Sequence, residues 1–240
     1  VKLEFRDPGG ATTGKLLPTG NVVDTLDVPG VGKIKVSMVD AANATVWVNA
    51  GDIGLTGIEL PESLETNAAA MQKLSAIRIA ASVAMGITAN ADEAAKKKSV
   101  PFIGFVSPAQ TSKLLSGEII IEDDVDLTGR VISNGQPHLA LPLTVTLCMG
   151  VAARIEGSVV NAVLRKGGDA EAPVRIGMPS GVLTVAATVK RQNGKWVAEQ
   201  GAFYRTQRRM FEGQVLVRAS RVPASVAATC GDKQKDGRAA

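Results

Sequence analysis

At 240 residues, 45% of them apolar, the chain is long enough for one large domain or two small ones with a proper core. Aromatic residues make up only 3%, so Val, Ile, Leu and Ala must fill that core. The net charge of +4 is scattered, without the basic stripe and interleaved aromatics of a nucleic-acid binder, and a single histidine excludes a multi-histidine metal site.

Residues 1–60 read as strands and tight turns. VKLEF, KIKVSMV and ATVWV alternate or run apolar as strands do, and DPGGATTG, LLPTGN and GDIGLTG are glycine-rich corners between them. ETNAAAMQKLSAIRIAASVAMG, residues 65–86, predicts one helix with Met71, Leu74, Ile77, Ile79 and Val83 on its apolar face and Gly86 at its end. ADEAAKKKS reads as a charged connection with a solvated lysine run. Residues 100–106 predict a strand and GEIIIEDDVDLTG another. Its acids Glu122, Asp123, Asp124 and Asp126 lack the glycine and terminal glutamate of a calcium loop.

The stretch 130–164, RVISNGQPHLALPLTVTLCMGVAARIEGSVVNAVL, is the centre of the chain. Ser133-Asn134-Gly135 makes a turn, and Pro142 suits a helix start. Leu143, Leu147, Val151 and Ile155 then recur on one helical face, with so few charges between them that other elements should wrap the helix. Its first turn carries Thr144 and Thr146, with His138 upstream. Free backbone N–H groups there attract anions, although a buried helix with polar caps fits the same residues. Beyond it the chain is β in character, with an Asn-Gly hairpin in RQNGKW and a last strand in QVLVRA; residues 223–240 are expected to be a disordered tail. Strand-rich segments around each of two helices suggest a repeated unit, a helix inside a curled sheet, although no sequence repeat is convincing.

Cys148 and Cys230 give neither a disulfide framework nor a zinc site. There is no long apolar run and no signal-peptide pattern, so the cytoplasm is the default location and no membrane partner is expected. Val1, not methionine, opens straight into VKLEF, and the chain is expected to be a fragment.

DPGGATTGKLLPTGN, VDAANATVWVNAGDIGLTGIEL, IRIAASVAMG, GRVISNGQPHLALPLTVTLCMGVAARIEGSVVN, RIGMPSG and YRTQRRMFEG occur in the order seen in the methylaconitate isomerase family of PrpF-like proteins, which the chain resembles from about Phe5 to Val222. The resemblance implies an α+β, diaminopimelate epimerase-like fold. Two similar domains each curl a mostly antiparallel sheet around a central helix, with substrate in the cleft between them. The division implied is 1–100 for the remainder of an incomplete first domain and 101–222 for the second. The implied activity is cofactor-free isomerisation of small unsaturated di- and tricarboxylates, such as 2-methylaconitate or 4-oxalomesaconate, with a homodimer as a further expectation. A scaffold that kept the fold without the chemistry, and an epimerase or racemase of this fold, remain open. In the family, the lysine and cysteine of proton transfer lie in earlier glycine-rich motifs, which this chain does not contain. Met178 replaces the family's usual histidine in Gly-His-Pro-Ser-Gly, Val145 a usual glycine and Glu156 a common proline. By this resemblance and the helix argument, Asn43, Arg130, Ser133, His138, Thr144, Thr146 and Ser180 are the candidate substrate-binding residues. Cys148 is a weaker candidate proton donor and is read first as packing. Arg205, Arg208 and Arg209 read as solvated surface or an anion patch.

Overall fold

The computed structural model describes residues 1–167, 172–206, 208–213 and 216–222. The chain opens with the strands β1 (Lys2–Arg6), β2 (Asp24–Val28), β3 (Gly32–Ala41), β4 (Asn43–Asn49) and, after the helices α1 (Pro61–Thr66), α2 (Ala68–Ala84) and α3 (Ala91–Lys96), β5 (Phe102–Pro108). A short hairpin, β6 (Ser112–Lys113) and β7 (Ile119–Ile120), leads to β8 (Leu127–Ser133), β9 (Gln136–Pro137) and the helices α4 (Leu143–Arg154) and α5 (Val159–Val163). The meander β10 (Val174–Met178), β11 (Gly181–Gln192) and β12 (Lys195–Tyr204) follows.

Ten of these strands form one sheet in the order β1-β12-β11-β10-β8-β5-β4-β3-β2, with β9 on β8. Its pairings are antiparallel except β4 with β5 and β10 with β8. Successive residues of a strand face opposite sides of a sheet, and here both sides of the central strands are buried. Ile34, Val36, Met38, Val46, Val48, Ile103 and Phe105 point to α2, whereas Val39, Trp47, Val106, Leu127 and Val131 point to α4 and α5. Residues Val145 to Ala153 of α4 are all buried. Two glycines allow that enclosure by close approach: a Cβ on Gly201 would lie 2.7 Å from Leu147 Cγ, and one on Gly150 would lie 2.8 Å from Val185 Cγ2.

The sequence-based boundary at residue 100 falls between β4 and β5, which pair residue for residue from Thr45–Phe102 to Asn49–Val106. Val1–Arg205 pack as one compact unit, and the β4–β5 pairing lies within it. Beyond Arg205, Arg209 pairs with Glu212 and Ala219–Arg221 make a 3-10 turn. The expected QVLVRA strand falls partly, and the tail 223–240 wholly, outside the described residues.

Three local expectations change. The helix expected over 65–86 breaks at Asn67, whose side chain caps α2 by accepting from the Ala70 N–H at 3.1 Å. The connection at 91–99 contains α3, because Asn90 accepts from the Glu93 N–H at 2.9 Å while Glu93 accepts from the Ala89 N–H at 3.0 Å. GEIIIEDDVDLTG is not one strand: the 3-10 turn Glu122–Asp124 separates β7 from β8. Its acids form ion pairs, Asp123 with Arg165 at 3.3 Å and Asp126 with Arg175 at 2.7 Å.

Candidate functional site

At its entry the enclosed helix α4 meets polar surface. Pro142 caps it in an extended conformation, which its ring favours. The Thr146 N–H closes the first turn onto the Pro142 carbonyl at 2.8 Å. The N–H groups of Leu143, Thr144 and Val145 precede that bond and are the free end of the helix. Thr146 was expected among these donors. Its hydroxyl also donates to the Pro142 carbonyl, at 3.0 Å, so it caps the turn from a buried position and does not face a ligand.

Thr144 is half-buried and does face the rim. Asn43, at the start of β4, donates from Nδ2 to Thr144 Oγ1 at 2.5 Å, a bond that spans 101 positions of sequence. Because Oγ1 accepts there, the Thr144 hydroxyl proton is left to donate elsewhere. Asn43 is aimed by a tight turn at Ala42, which takes a φ of 60° and donates its N–H to the Pro8 carbonyl at 2.8 Å. Asp40 ties that turn to the glycine-rich loop before it. Its carboxylate Oδ2 accepts from Thr12 N, Thr13 N and Thr13 Oγ1 at 2.8, 2.6 and 2.9 Å. Oδ1, also buried, has no partner among the described residues. Asp40 was missed in the sequence, although an acid at an even position of a strand whose even positions are Ile34, Val36 and Met38 signals a buried carboxylate.

On the other flank, the Leu141 N–H donates to Met178 Sδ at 3.4 Å, so the residue that departs from the family's histidine holds the chain entering α4. Ser180 lies exposed two residues on, in the β10–β11 turn. His138 is half-buried, with its ring 6.5 Å from that of Phe102. Burial lowers its pKa and favours the neutral imidazole.

The remaining candidates lie elsewhere. Arg130 is on the opposite face of the sheet from α4 and only 2% exposed. It donates to the carbonyls of Glu59 at 2.7 Å, Gly129 at 2.8 Å and Gly177 at 3.2 Å, and burial brings its pKa down to about 10 against the pull of Glu59. It braces the 51–60 loop through the Glu59 carbonyl, while its buried Nη2 has no partner among the described residues. Ser133 ends β8, and its neighbours Ile132, Asn134 and Gly135 line a separate cleft beside α2. Cys148 is fully buried, donates to the Val39 carbonyl at 3.4 Å, and has its thiol pushed up to about 11 by desolvation. Packing is its role here. Arg205, Arg208 and Arg209 are exposed.

The α+β class expected from the sequence, with a sheet curled on a buried helix whose N-terminus meets polar surface, is therefore what the chain forms. Residues 1–218 match the family model described as PrpF protein, and the chain belongs to that family. It is 38% identical over 220 residues to a 2-methyl-aconitate isomerase of Shewanella oneidensis, covering 90% of this chain and 55% of that protein. A 3-methylitaconate isomerase of Eubacterium barkeri is 43% identical over 222 residues, covering 92% and 57%. Among solved structures, a methylitaconate-delta-isomerase superposes with a TM-score of 0.81 at 41% identity, covering 92% of this chain and 58% of that one. The chain thus spans a little over half the length of the relatives it matches. Among the described residues no helix is long and apolar enough to cross a membrane.

Proposed function

We propose that this chain carries the carboxylate-binding part of a cofactor-independent isomerase, which shifts or re-faces a double bond in small unsaturated di- or tricarboxylates such as 2-methylaconitate or 4-oxalomesaconate. The observation that carries the reading is the α4 entry, where the free backbone N–H groups of the helix start lie next to Thr144, held from β4 by Asn43. Removing a proton next to a carboxylate pushes negative charge onto its oxygens. Donors fixed in a helix terminus stabilise that charge without reorganising, and the helix dipole adds about 0.3–1 kcal/mol per favourable charge.

The proton donor and acceptor belong to residues outside this chain. Cys148 is sealed in the core with a raised pKa, and the lysine and cysteine motifs of the family do not occur here. On this reading the chain supplies substrate binding and not the proton transfer. Two measurements test this on the purified chain. 3-Methylitaconate should shift the amide resonances of Leu143, Thr144 and Val145 saturably, and 2-methylaconitate should not be turned over. Silence at those amides sinks the carboxylate site; isomerisation at enzyme-like rates sinks the placement of the acid and base.

A further inference from the structure

We propose a second, separate anion site on the sheet face opposite α4: a cleft of about 280 Å³ between α2, α3 and the β8–β9 turn, which takes a monocarboxylate with a short apolar body. Its floor is apolar, made by Ile103 and Ile132 of the sheet with Met71 and Ile79 of α2. Arg78 lines the same space and is only 7% exposed. Its Nη1 donates to the Lys97 carbonyl at 3.0 Å and its Nη2 to the Ala94 carbonyl at 2.7 Å. Those carbonyls fix the guanidinium in place, but they carry no full charge.

No carboxylate lines the cleft, and none pairs with Arg78 among the described residues. A buried cation without a counter-ion is costly, and burial lowers the pKa of Arg78 accordingly. An entering carboxylate supplies the missing charge. Lys98 at the mouth adds a second positive group, and Ser75 and Asn134 offer neutral polar contacts there. The apolar floor selects against a second charge, which would be buried without a partner, so this ligand class differs from the polycarboxylates proposed for α4. The volume lies just below the range of roughly 300–1,000 Å³ for small-molecule pockets, which limits the apolar body to a few carbons.

The test uses the intact chain with labelled isoleucine methyl groups and butyrate as the probe. Butyrate should shift the Ile103 and Ile132 methyl resonances saturably, and butyramide, its neutral counterpart, should bind at least about tenfold more weakly, the loss of one charge-assisted hydrogen bond. Lys98→Gln should weaken butyrate several-fold. Ser75→Phe, at an exposed position, should block the cleft while leaving Arg78 and the fold in place. No saturable shift overturns the site, an equal response to butyramide overturns recognition of charge, and unchanged binding in Ser75→Phe overturns the location. The readout lies on β5 and β8, so its failure is distinguishable from failure of the α4 site.

Discussion

Helices α2 and α4 lie on opposite faces of the same strands, yet they are different objects. Every residue of α4 from Val145 to Ala153 is buried, whereas α2 buries only Ala70, Leu74, Ile77, Arg78, Ala81 and Ser82 and leaves Gln72, Ser75 and Val83 exposed. The sequences say why. LTVTLCMGVAA presents apolar or small residues on every side, and Gly150 and Gly201 let the surrounding strands come close. AAAMQKLSAIRIAASVA keeps a polar flank. A fully wrapped helix can meet solvent only at its ends, and the N-terminal one, with its free N–H groups, is the candidate site. A half-covered helix has a long margin instead, and the cleft at Arg78 lies on that margin.

The sharpest way to break this contrast is to remove core volume from each helix. Leu147→Ala, under the close contact with Gly201, should cost about 3–5 kcal/mol, the upper part of the range for buried leucines, because the wrapped site cannot collapse around the cavity. Leu74→Ala should cost about 2–3 kcal/mol, since α2 can settle toward the sheet. Val83→Ala, 37% exposed, should stay within about 0.5 kcal/mol. Urea unfolding followed by circular dichroism gives all three values. Equal losses for the two leucines would remove the distinction between the helices.

Arg130 tests the faces themselves. Arg130→Met keeps much of the length but strips donors from the carbonyls of Glu59, Gly129 and Gly177. Stability should fall by about 2–3 kcal/mol, the cost of buried polar groups left unsatisfied. Affinity of the folded variant for 3-methylitaconate should not change. A large loss of affinity at unchanged stability would return Arg130 to the substrate site.

That residue also shows where the sequence stops being readable. The central helix, the Asn-Gly hairpin and most strands follow from periodicity and turn chemistry, because those signals are local. The side of the sheet that Arg130 faces depends on strand parity. Read as the start of a turn, RVISNG places the arginine near the helix entry. Read as the end of β8, it alternates against Leu127 and Val131, which face α4, and must face the other way. Thr146 was locally readable, since a threonine at the start of a helix bonds back to the carbonyl four residues earlier. So was α3, from Asn90 and Glu93 three apart. The bond from Asn43 to Thr144 was not, because it joins positions 101 residues apart and only tertiary packing sets it. The resemblance pointed to Asn43 by analogy, without naming its partner.

A smaller effect is expected at the site. Thr144→Val keeps the side-chain volume, removes the hydroxyl donor and leaves Asn43 Nδ2 without its acceptor. Binding of 3-methylitaconate should weaken about five- to tenfold, roughly 1–1.4 kcal/mol for one hydrogen bond, while stability changes by less than about 1 kcal/mol at this half-exposed rim. Calorimetric titration measures the first and urea unfolding the second. Unaltered affinity would make Thr144 a cap and nothing more.

A small effect also belongs to charge at the margin of the sheet. Burial alone would raise the Asp126 carboxyl, but the side-chain and backbone hydrogen bonds from Arg175 outweigh it and hold the group below the ordinary carboxylate value. A depressed carboxyl contributes stability above its unfolded pKa, near 3.9, and loses it as pH falls through the lower folded value. Asp126→Asn should therefore lower stability by a constant amount at neutral pH, and the gap to the parent should close only below about pH 4. The Arg175 side chain is 42% exposed, so solvent screens the pair and the gap should stay below about 1 kcal/mol. Parallel urea titrations between neutral pH and about pH 2 measure both the gap and its closing. A gap that persists below both pKa values would trace to lost backbone contacts at Arg175 N, and a gap as large as that of Leu147→Ala would show that the margin, not the wrapped helix, holds the unit together.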